Sequence, residues 1–501
     1  MVSLNNIKNA SKVAAGLSLK LVNKELGARL ISSTLSSVPG VSAKITQLLN
    51  TNSDASDQAP IEITPMNKET VLSIIENETP NLAAMIADIS FPPIVASVGQ
   101  LHRVTLKNGV ELAVKIQYEG LSKTVEQQLH VLFGAMSFGP PKKFGLNIDD
   151  YKNTVGVSIS EELDYDKELK NQQKMFKLYE FDPRVTIAAP SPYYSGTKVL
   201  SQSWLPSENE KDIRLWSQKE RLRACSLFAE YFLDAVFIKK FLHIDLHPNN
   251  FGFTKSDQGE ISLVLYDFGA VLSLDPRKVQ ALWSLINLHM DPQKKPPIQQ
   301  VADHLVYLGF DEQKLAHLGP RLGVLVDHIL LPFTKMGPWK PQDWTLNETA
   351  EKTLGNDKWW FRTAGPAWFI LLMRAANGLV KFLTRQGFGY NTRNLFEKMS
   401  KFYIPISITL PSTQFKDGSE ECASHLKIHV SQNKETIVST SLPYRVIDEI
   451  RDYIPEDSLK EIEQSLNLNS LVEKVIASGY VPQLIFEQSL ENGKKYKVWL
   501  E

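Results

Sequence analysis

Four residues of this 501-residue chain have the types and the order needed to handle phosphate and a divalent cation: Lys115, Asp245, Asn250 and Asp267. Asp245 and Asn250 lie in His243-Ile-Asp245-Leu-His247-Pro248-Asn249-Asn250, an Asp-x-x-x-x-Asn spacing. In phosphoryl transfer such an Asp accepts the proton of the attacking hydroxyl, and such an Asn ligates a metal ion. Asp267 opens Asp267-Phe268-Gly269 after an apolar run, where a carboxylate would coordinate magnesium bridging the phosphates. Lys115 ends Leu112-Ala113-Val114-Lys115, where an ammonium would meet the α- and β-phosphates. Glu168, in EELDYDKELKNQQ, is the acid that would hold that Lys in place.

Taken singly these signals are weak. A Lys at a strand end is ordinarily a solvated charge, and Glu168 is one of several acids on a charged helix face. The Asp-Phe-Gly tripeptide arises by chance. Their order carries the weight: strand Lys, helix Glu, Asp-x-x-x-x-Asn, then Asp-Phe-Gly after a strand. His243 and Asp245 with His247 also suggest a metal hydrolase, but no further His or Asp cluster completes such a site locally. Histidines that brace the loop through hydrogen bonds are the better reading. No Gly-x-Gly-x-x-Gly precedes the Lys strand and no Ala-Pro-Glu follows Asp-Phe-Gly, so a peptide-substrate platform has no sequence support.

The elements that must position these residues are legible in part. Two alternating apolar runs, VASVGQLHRVTL and VELAVKIQY, flank Asn108-Gly109 and predict a β-hairpin. Leu121 to Met136 and Asp149 to Tyr179 read as helices, RVTIAAP and KVLSQSWL as strands. Lys219 to Phe241 reads as a strongly apolar helix delivering the chain to the His243 loop, and residues 276–403 as mainly helical. Upstream, residues 1–49 read as helical, 50–60 as a polar loop, and Asn67 to Ala87 as one or two helices. Residues 410–425 form a linker. Beyond it come a hairpin, helices over YRVIDEIRDYI and SLVEKVIASG with Gly479 as a stop, and a closing Asn-Gly hairpin.

Composition sets outer bounds. Hydrophobic residues make up 43% and charged residues 22%, ordinary for a soluble globular protein, and the length suits two to four domains. A net charge of -1 argues against an overall electrostatic nucleic-acid binder. Two distant cysteines, Cys225 and Cys422, make neither a disulfide framework nor a zinc site, and fit a reducing compartment. The N-terminus lacks the pattern of a secretory signal. Ala364 to Leu383 is the most apolar stretch, interrupted by Pro366, Arg374 and Asn377; a buried or interfacial helix is the preferred reading, which leaves room for peripheral membrane contact. The expected location is cytoplasmic, with that membrane-peripheral option.

Over roughly Lys44 to Leu272, and more loosely to about residue 400, the chain resembles the UbiB-type atypical kinases, a family linked to ubiquinone biosynthesis. Lys44-Ile45-Thr46-Gln47 is similar to the family's Lys-x-Gly-Gln motif, with Thr for Gly. Ile94-Val95-Ala96-Ser97 stands where the family has an Ala-rich loop, followed by the family-like Val98-Gly99-Gln100-Leu101-His102. Glu162-Leu163-Asp164 matches its Glu-x-Asp, and the His243 loop and Asp-Phe-Gly are intact. The strand Val199-Leu-Ser-Gln-Ser203, at the hinge, lacks the usual Met-x-Glu. The resemblance implies that Ala96, Ser97, Val98, Gly99 and Gln100 approach the nucleotide along with Lys115 and Glu168. It also implies a lid of Lys44 and Gln47 over the site, with Lys44 paired to Glu162 of the Glu162/Asp164 motif. Such a lid blocks a peptide and favours ATPase or small-molecule chemistry.

The resulting expectation is an α+β, bilobal protein-kinase-like fold: a helical extension over 1–85, an N-lobe over 86–205, a C-lobe over 206–405 and a small α+β module over 426–501. Its function would be that of an ATP- and Mg2+-dependent atypical kinase or ATPase supporting quinone or lipid metabolism. Asp245 and Lys115 would be catalytic, and Asn250 and Asp267 would hold the metal. A quinone precursor or other lipid-like small molecule is the expected partner beside ATP, and nucleic acid is not. The alternatives are a small-molecule phosphotransferase of the aminoglycoside or choline kinase kind, and a non-catalytic nucleotide-binding scaffold.

Overall fold

A computed structural model of the chain describes residues 65–96, 98–118, 164–291, 296–319, 321–413, 423, 425–433, 435–477 and 482–501. Helix α1 (Lys68–Glu78) begins at Asn67, whose side-chain oxygen accepts from Thr70 N at 2.9 Å and so satisfies one of the first-turn donors. A short helix, Pro80–Met85, leads into β1 (Ile86–Ile89), β2 (Ile94–Val95), β3 (Gly99–Leu106) and β4 (Glu111–Gln117). Then come α2 (Tyr165–Tyr179), β5 (Val185–Ile187), β6 (Val199–Ser203) and α3 (Gln218–Leu233). Ser217 and Glu220 close a capping box at the start of α3. The helix continues as a π-helical turn, Asp234–Lys239, and stops at Lys240, whose φ of 54° is left-handed. Short strands β7 (Phe241–His243), β8 (Phe251–Lys255), β9 (Ile261–Leu265) and β10 (Val271–Ser273) follow. Helices α4 (Pro276–His289), α5 (Ile298–Leu308), α6 (Arg321–Ile329), α7 (Leu346–Leu354), α8 (Lys358–Ala364), α9 (Ala367–Gln386) and α10 (Thr392–Ser400) come next. The tail holds β11 (His425–Gln432), β12 (Glu435–Pro443), α11 (Glu456–Ser465), α12 (Leu468–Ala477), β13 (Gln483–Ser489) and β14 (Lys494–Leu500).

The chain divides into two compact units, the first comprising residues 1–283, 335–343 and 366–407. Its main sheet runs β1-β3-β4-β6, with β2 also paired to β3, antiparallel throughout. The β3–β4 hairpin turns at Asn108-Gly109 as its sequence expects. Only Gly109 enters the left-handed region, at φ 82°, while the Asn108 side chain accepts from Val110 N at 3.1 Å. Val71, Ile74 and Ile75 of α1 pack on Val104, Leu106, Leu112, Val114 and Ile116. Strand β4 is covered on both faces, with every residue from Leu112 to Gln117 buried. Lys115 is therefore no solvated strand-end charge, and a buried ammonium needs partners.

Deeper in the same unit, β5 runs parallel to β9 and β8 antiparallel to it, while β7 pairs with β10. Those short strands hold the His243 loop and the Asp-Phe-Gly turn side by side. Phe228 of α3, Phe251 and Phe253 of β8 and Phe382 of α9 form one aromatic cluster, with Phe253 stacked on Phe382 at 5.6 Å.

The second unit comprises residues 284–334, 344–365 and 408–501. Arg321 of α6 pairs with Asp357 at 2.9 Å, and Trp344 Nε1 donates to His328 O at 3.0 Å. Its four-stranded antiparallel sheet, β12-β11-β14-β13, packs Leu426, Ile428, Val430, Tyr496 and Val498 with Ile447, Ile450 and Ile462. Gly493, at φ 77°, turns the closing Asn-Gly hairpin. The segment expected as a helix over YRVIDEIRDYI is a 3-10 helix, Tyr444–Tyr453. Ile447 and Ile450 both enter the core, and threefold winding brings residues three apart onto one side. The helices expected over residues 1–49 and 121–136, and the Gly479 stop, lie outside the described residues.

Candidate functional site

Lys115 projects from β4 and meets two carboxylates distant in sequence. Its Nζ lies 3.1 and 3.0 Å from the two oxygens of Glu168 on α2, and 3.2 Å from Asp267 Oδ2 just beyond β9. Tyr165, one turn before Glu168, puts its ring centroid 5.1 Å from the same ammonium. Burial alone would lower the Lys115 pKa. The charges of Asp267 and Glu168 more than reverse that, and the ammonium is held well above the ordinary lysine value. Asp164 accepts from Lys167 N at 3.1 Å as the N-cap of α2, and so fixes the start of the helix that aims Glu168. Lys44, Gln47 and Glu162, the other residues expected in a lid, lie outside the described residues.

The second cluster is built on the loop after β7. Asn250 Nδ2 donates to Asp245 O at 3.0 Å and to Asp245 Oδ2 at 3.1 Å. Asp245 Oδ1 accepts from Arg374 Nη2 at 2.6 Å, a contact made by α9 from 129 residues away. His243 joins this loop to the Asp-Phe-Gly turn. Its Nδ1 accepts from Asp245 N at 3.2 Å, and its Nε2 lies 2.9 and 2.7 Å from the carbonyls of Tyr266 and Asp267. That pattern assigns the proton to Nε2. The bracing role read from the sequence is thus present, at least for His243. Asp267 is held at φ 58°, a left-handed conformation uncommon outside glycine. Phe268 is buried edge-on to the His243 ring at 5.6 Å, and its carbonyl accepts from Asn171 Nδ2 of α2 at 3.1 Å.

Around the loop expected near the nucleotide, Ala96 N donates to Gly99 O at 2.9 Å and closes the β2–β3 turn. Ser97 lies outside the described residues. Val98 is buried, and its carbonyl accepts from Tyr118 N at 3.3 Å. A Cβ on Gly99 would sit 2.3 Å from Ile116 O, so this glycine is required by close approach to β4. Gln100 is spent on the fold: fully buried, it takes Met66 N onto Oε1 at 2.7 Å and places Nε2 2.9 Å from His102 Nε2.

Among the described residues no cluster of three or more His, Cys, Asp or Glu could by itself hold a metal ion. The oxygens of Asp267 and Asn250 still suit magnesium. Mg2+ takes hard oxygen ligands, and in phosphoryl-transfer sites it uses one or two from the protein, with water and phosphate supplying the rest. The Asn250 amide nitrogen is turned to Asp245, which leaves its carbonyl oxygen as the atom that could meet a cation.

Sequence reasoning missed Arg374 and Tyr165. Arg374 had been only an interruption in an apolar stretch. A cation inside an apolar helix needs a buried carboxylate partner, and that was the signal available.

Residues 60–300 match the model of the ABC1 atypical kinase-like domain. The chain is 25% identical over 346 residues to "Atypical kinase COQ8B, mitochondrial" of Rattus norvegicus, covering 66% of this chain and 63% of that protein. It is 26% identical over 286 residues to "Probable protein kinase UbiB" of Marinobacter nauticus, covering 53% and 49%. The matched stretches thus span less than two thirds of either relative. Among solved structures, the complex of Rv3197 with erythromycin from Mycobacterium tuberculosis aligns with a TM-score of 0.50 at 20% identity, over 68% of this chain and 84% of that one. At that identity the likeness concerns the fold, which is protein-kinase-like.

Proposed function

Residues 60–300 make this chain a member of the UbiB-type atypical kinase family, and from that premise we propose that it binds Mg-ATP and transfers the γ-phosphoryl group to water or to a small, lipid-like acceptor. The observation that carries the reading is the buried Lys115 ammonium between Glu168 and Asp267. These residues lie 53 and 152 positions away, and the contacts satisfy a charge that would otherwise be costly to bury. Lys115 meets the α- and β-phosphates while Glu168 holds its ammonium in place. Asp267 and the Asn250 carbonyl would hold magnesium, which when bound would offset the negative charge developing on the phosphate. Asp245 accepts the proton of the attacking hydroxyl or water. Support for a quinone or lipid context comes from family kinship, and a lid of Lys44 on Glu162 belongs to the same proposal.

Mg-ATP should raise the Tm of the wild-type chain, and Asp267→Asn should abolish that rise; an unchanged rise in the variant refutes the metal assignment. ATP turnover should increase with quinone precursors or anionic lipid vesicles. Turnover stimulated only by a soluble aminoglycoside or choline would favour the phosphotransferase reading, and binding without any turnover would favour a scaffold.

A further inference from the structure

Helix α9, Ala367–Gln386, is the one described helix long and apolar enough by composition to cross a membrane. Yet it carries Arg374 at its middle, and that guanidinium reaches the loop proposed to bear the catalytic carboxylate. Arg374 Nη2 lies 2.6 Å from Asp245 Oδ1, with the two side chains only 16% and 9% exposed. The other terminal nitrogen, Nη1, is buried and has no hydrogen-bond partner among the described residues. Buried donors in native proteins are nearly always paired, so an orphaned one beside a reactive group calls for an explanation.

The placement of this helix is tightly specified. Gly378 lies four residues after Arg374, on the same face. A Cβ there would stand 2.9 Å from Leu246 O and 3.0 Å from Leu246 Cβ, so the backbone of α9 comes this close to the loop only because position 378 has no side chain. Farther along, Arg385 makes two bonds of 2.6 and 2.7 Å to Glu210, and Arg221 donates to Gln386 O at 3.0 Å. Phe382 packs against Phe251, next to Asn250, at 5.3 Å. The register of α9, and with it the position of Arg374, is pinned at the Gly378 contact and along the turns that follow it.

We propose that Arg374 is a further catalytic residue of this site, orienting Asp245 through Nη2 and donating from Nη1 to an oxygen of the phosphoryl group in transit. The proposal rests on the phosphoryl-transfer reading above. In the step, the nucleophile oxygen forms a bond to the γ-phosphorus as the bond to the bridging oxygen breaks and ADP leaves. The nucleophile proton passes to Asp245. Arg374 stays protonated throughout, and its planar fork can serve a carboxylate and a phosphoryl oxygen together. A merely structural ion pair would leave Nη1 without a task.

The test uses Mg-ADP with aluminium fluoride, which mimics the phosphoryl group in transit and needs no identified acceptor. In the full chain, fluoride should add to the Tm rise given by Mg-ADP alone. Arg374→Gln should keep the Mg-ADP rise, lose the fluoride increment, and lower kcat about 10³-fold with little change in KM for ATP, the scale on which such arginines act. Millimolar guanidinium should restore part of that kcat. Arg374→Lys keeps the buried charge and so the fold, but lacks the fork; it should also lose the fluoride increment. Either variant with a wild-type fluoride increment and wild-type kcat overturns the proposal. A wild-type chain that gains nothing from Mg-ADP instead removes the underlying reading of the site, and this proposal with it.

Discussion

Glu168→Gln isolates the part played by the Lys115 clamp. The change keeps the shape of the side chain and removes its charge. In the wild-type chain the 2%-exposed Glu168 side chain accepts two bonds of 3.0 and 3.1 Å from Lys115, while Asp267 accepts a third at 3.2 Å and is 37% exposed. Hydrogen bonds to charged groups contribute about 1.5–3 kcal/mol each. The glutamine oxygen can still accept one neutral bond, and Asp267 remains as counter-charge, so the net loss should be about 2 kcal/mol rather than the 3–5 kcal/mol of a fully orphaned buried charge. For a compact unit of about 330 residues, at about 2.1 cal/mol/K per residue, that is a fall in Tm of about 3 °C. A second effect follows from the same geometry. With Glu168 silent, Lys115 is left to Asp267 alone, and the metal must compete with the ammonium for that carboxylate. One lost interaction of about 1.4 kcal/mol is a tenfold change, so the Mg2+ needed for half-maximal ATP binding should rise about tenfold. Calorimetric melts with and without Mg-ATP, and a magnesium titration of nucleotide binding, measure both. A variant that melts like wild type and binds Mg-ATP at wild-type magnesium would falsify the view that Glu168 positions Lys115.

Asp245→Asn should retain the Mg-ATP thermal shift and lose turnover by about 10²-fold or more, the scale of a missing general base; full turnover in that variant rules out its role. Its apo form should also melt lower, because Arg374 is left as a buried cation facing an amide. Gly378→Ala gains about 1 kcal/mol of helix propensity but forces a methyl against Leu246 O, so a net loss of about 1–2 kcal/mol is expected, with reduced turnover as Arg374 is displaced; a variant more stable than wild type and equally active would contradict the close approach. The pH response of stability has a definite sign. Burial lowers the pKa of His102, His304 and His328 below 6.5. Below the ordinary histidine value the unfolded chain binds more protons than the folded one, so stability declines as pH falls from about 7 toward about 5. His102 shows why: Nδ1 lies 2.8 Å from Ser90 O, while Nε2 faces the Gln100 amide nitrogen, and a second ring proton would oppose that donor. His102→Gln should flatten part of the decline in melts taken across that range, and an unaltered slope would count against this account.

Much of the site was readable before any coordinates. Lys115, Glu168, Asp245, Asn250 and Asp267 were named from type, order and flanking pattern, because strand alternation and turn chemistry are local and leave their mark in neighbouring residues. The Asn108-Gly109 turn is of the same kind. The family resemblance also came from contiguous motifs. What the sequence could not say was where long side chains finish. The family resemblance implied that Gln100 approaches the nucleotide, and its side chain forms a buried clamp on Met66 and His102.

The sequence by itself determined which chemical groups are present, in what order, and on which local elements. Only the tertiary structure decided that Lys115 is buried rather than solvated, that His243 ties the Asp245 loop to the Asp-Phe-Gly turn, and that an apolar helix delivers Arg374 to Asp245 across 129 residues. The physical reason is range. Periodicity and capping are set by hydrogen bonds a few residues apart, whereas these pairings are set by packing, by the need of buried charges for partners, and by a single missing side chain at Gly378 that lets two backbones meet.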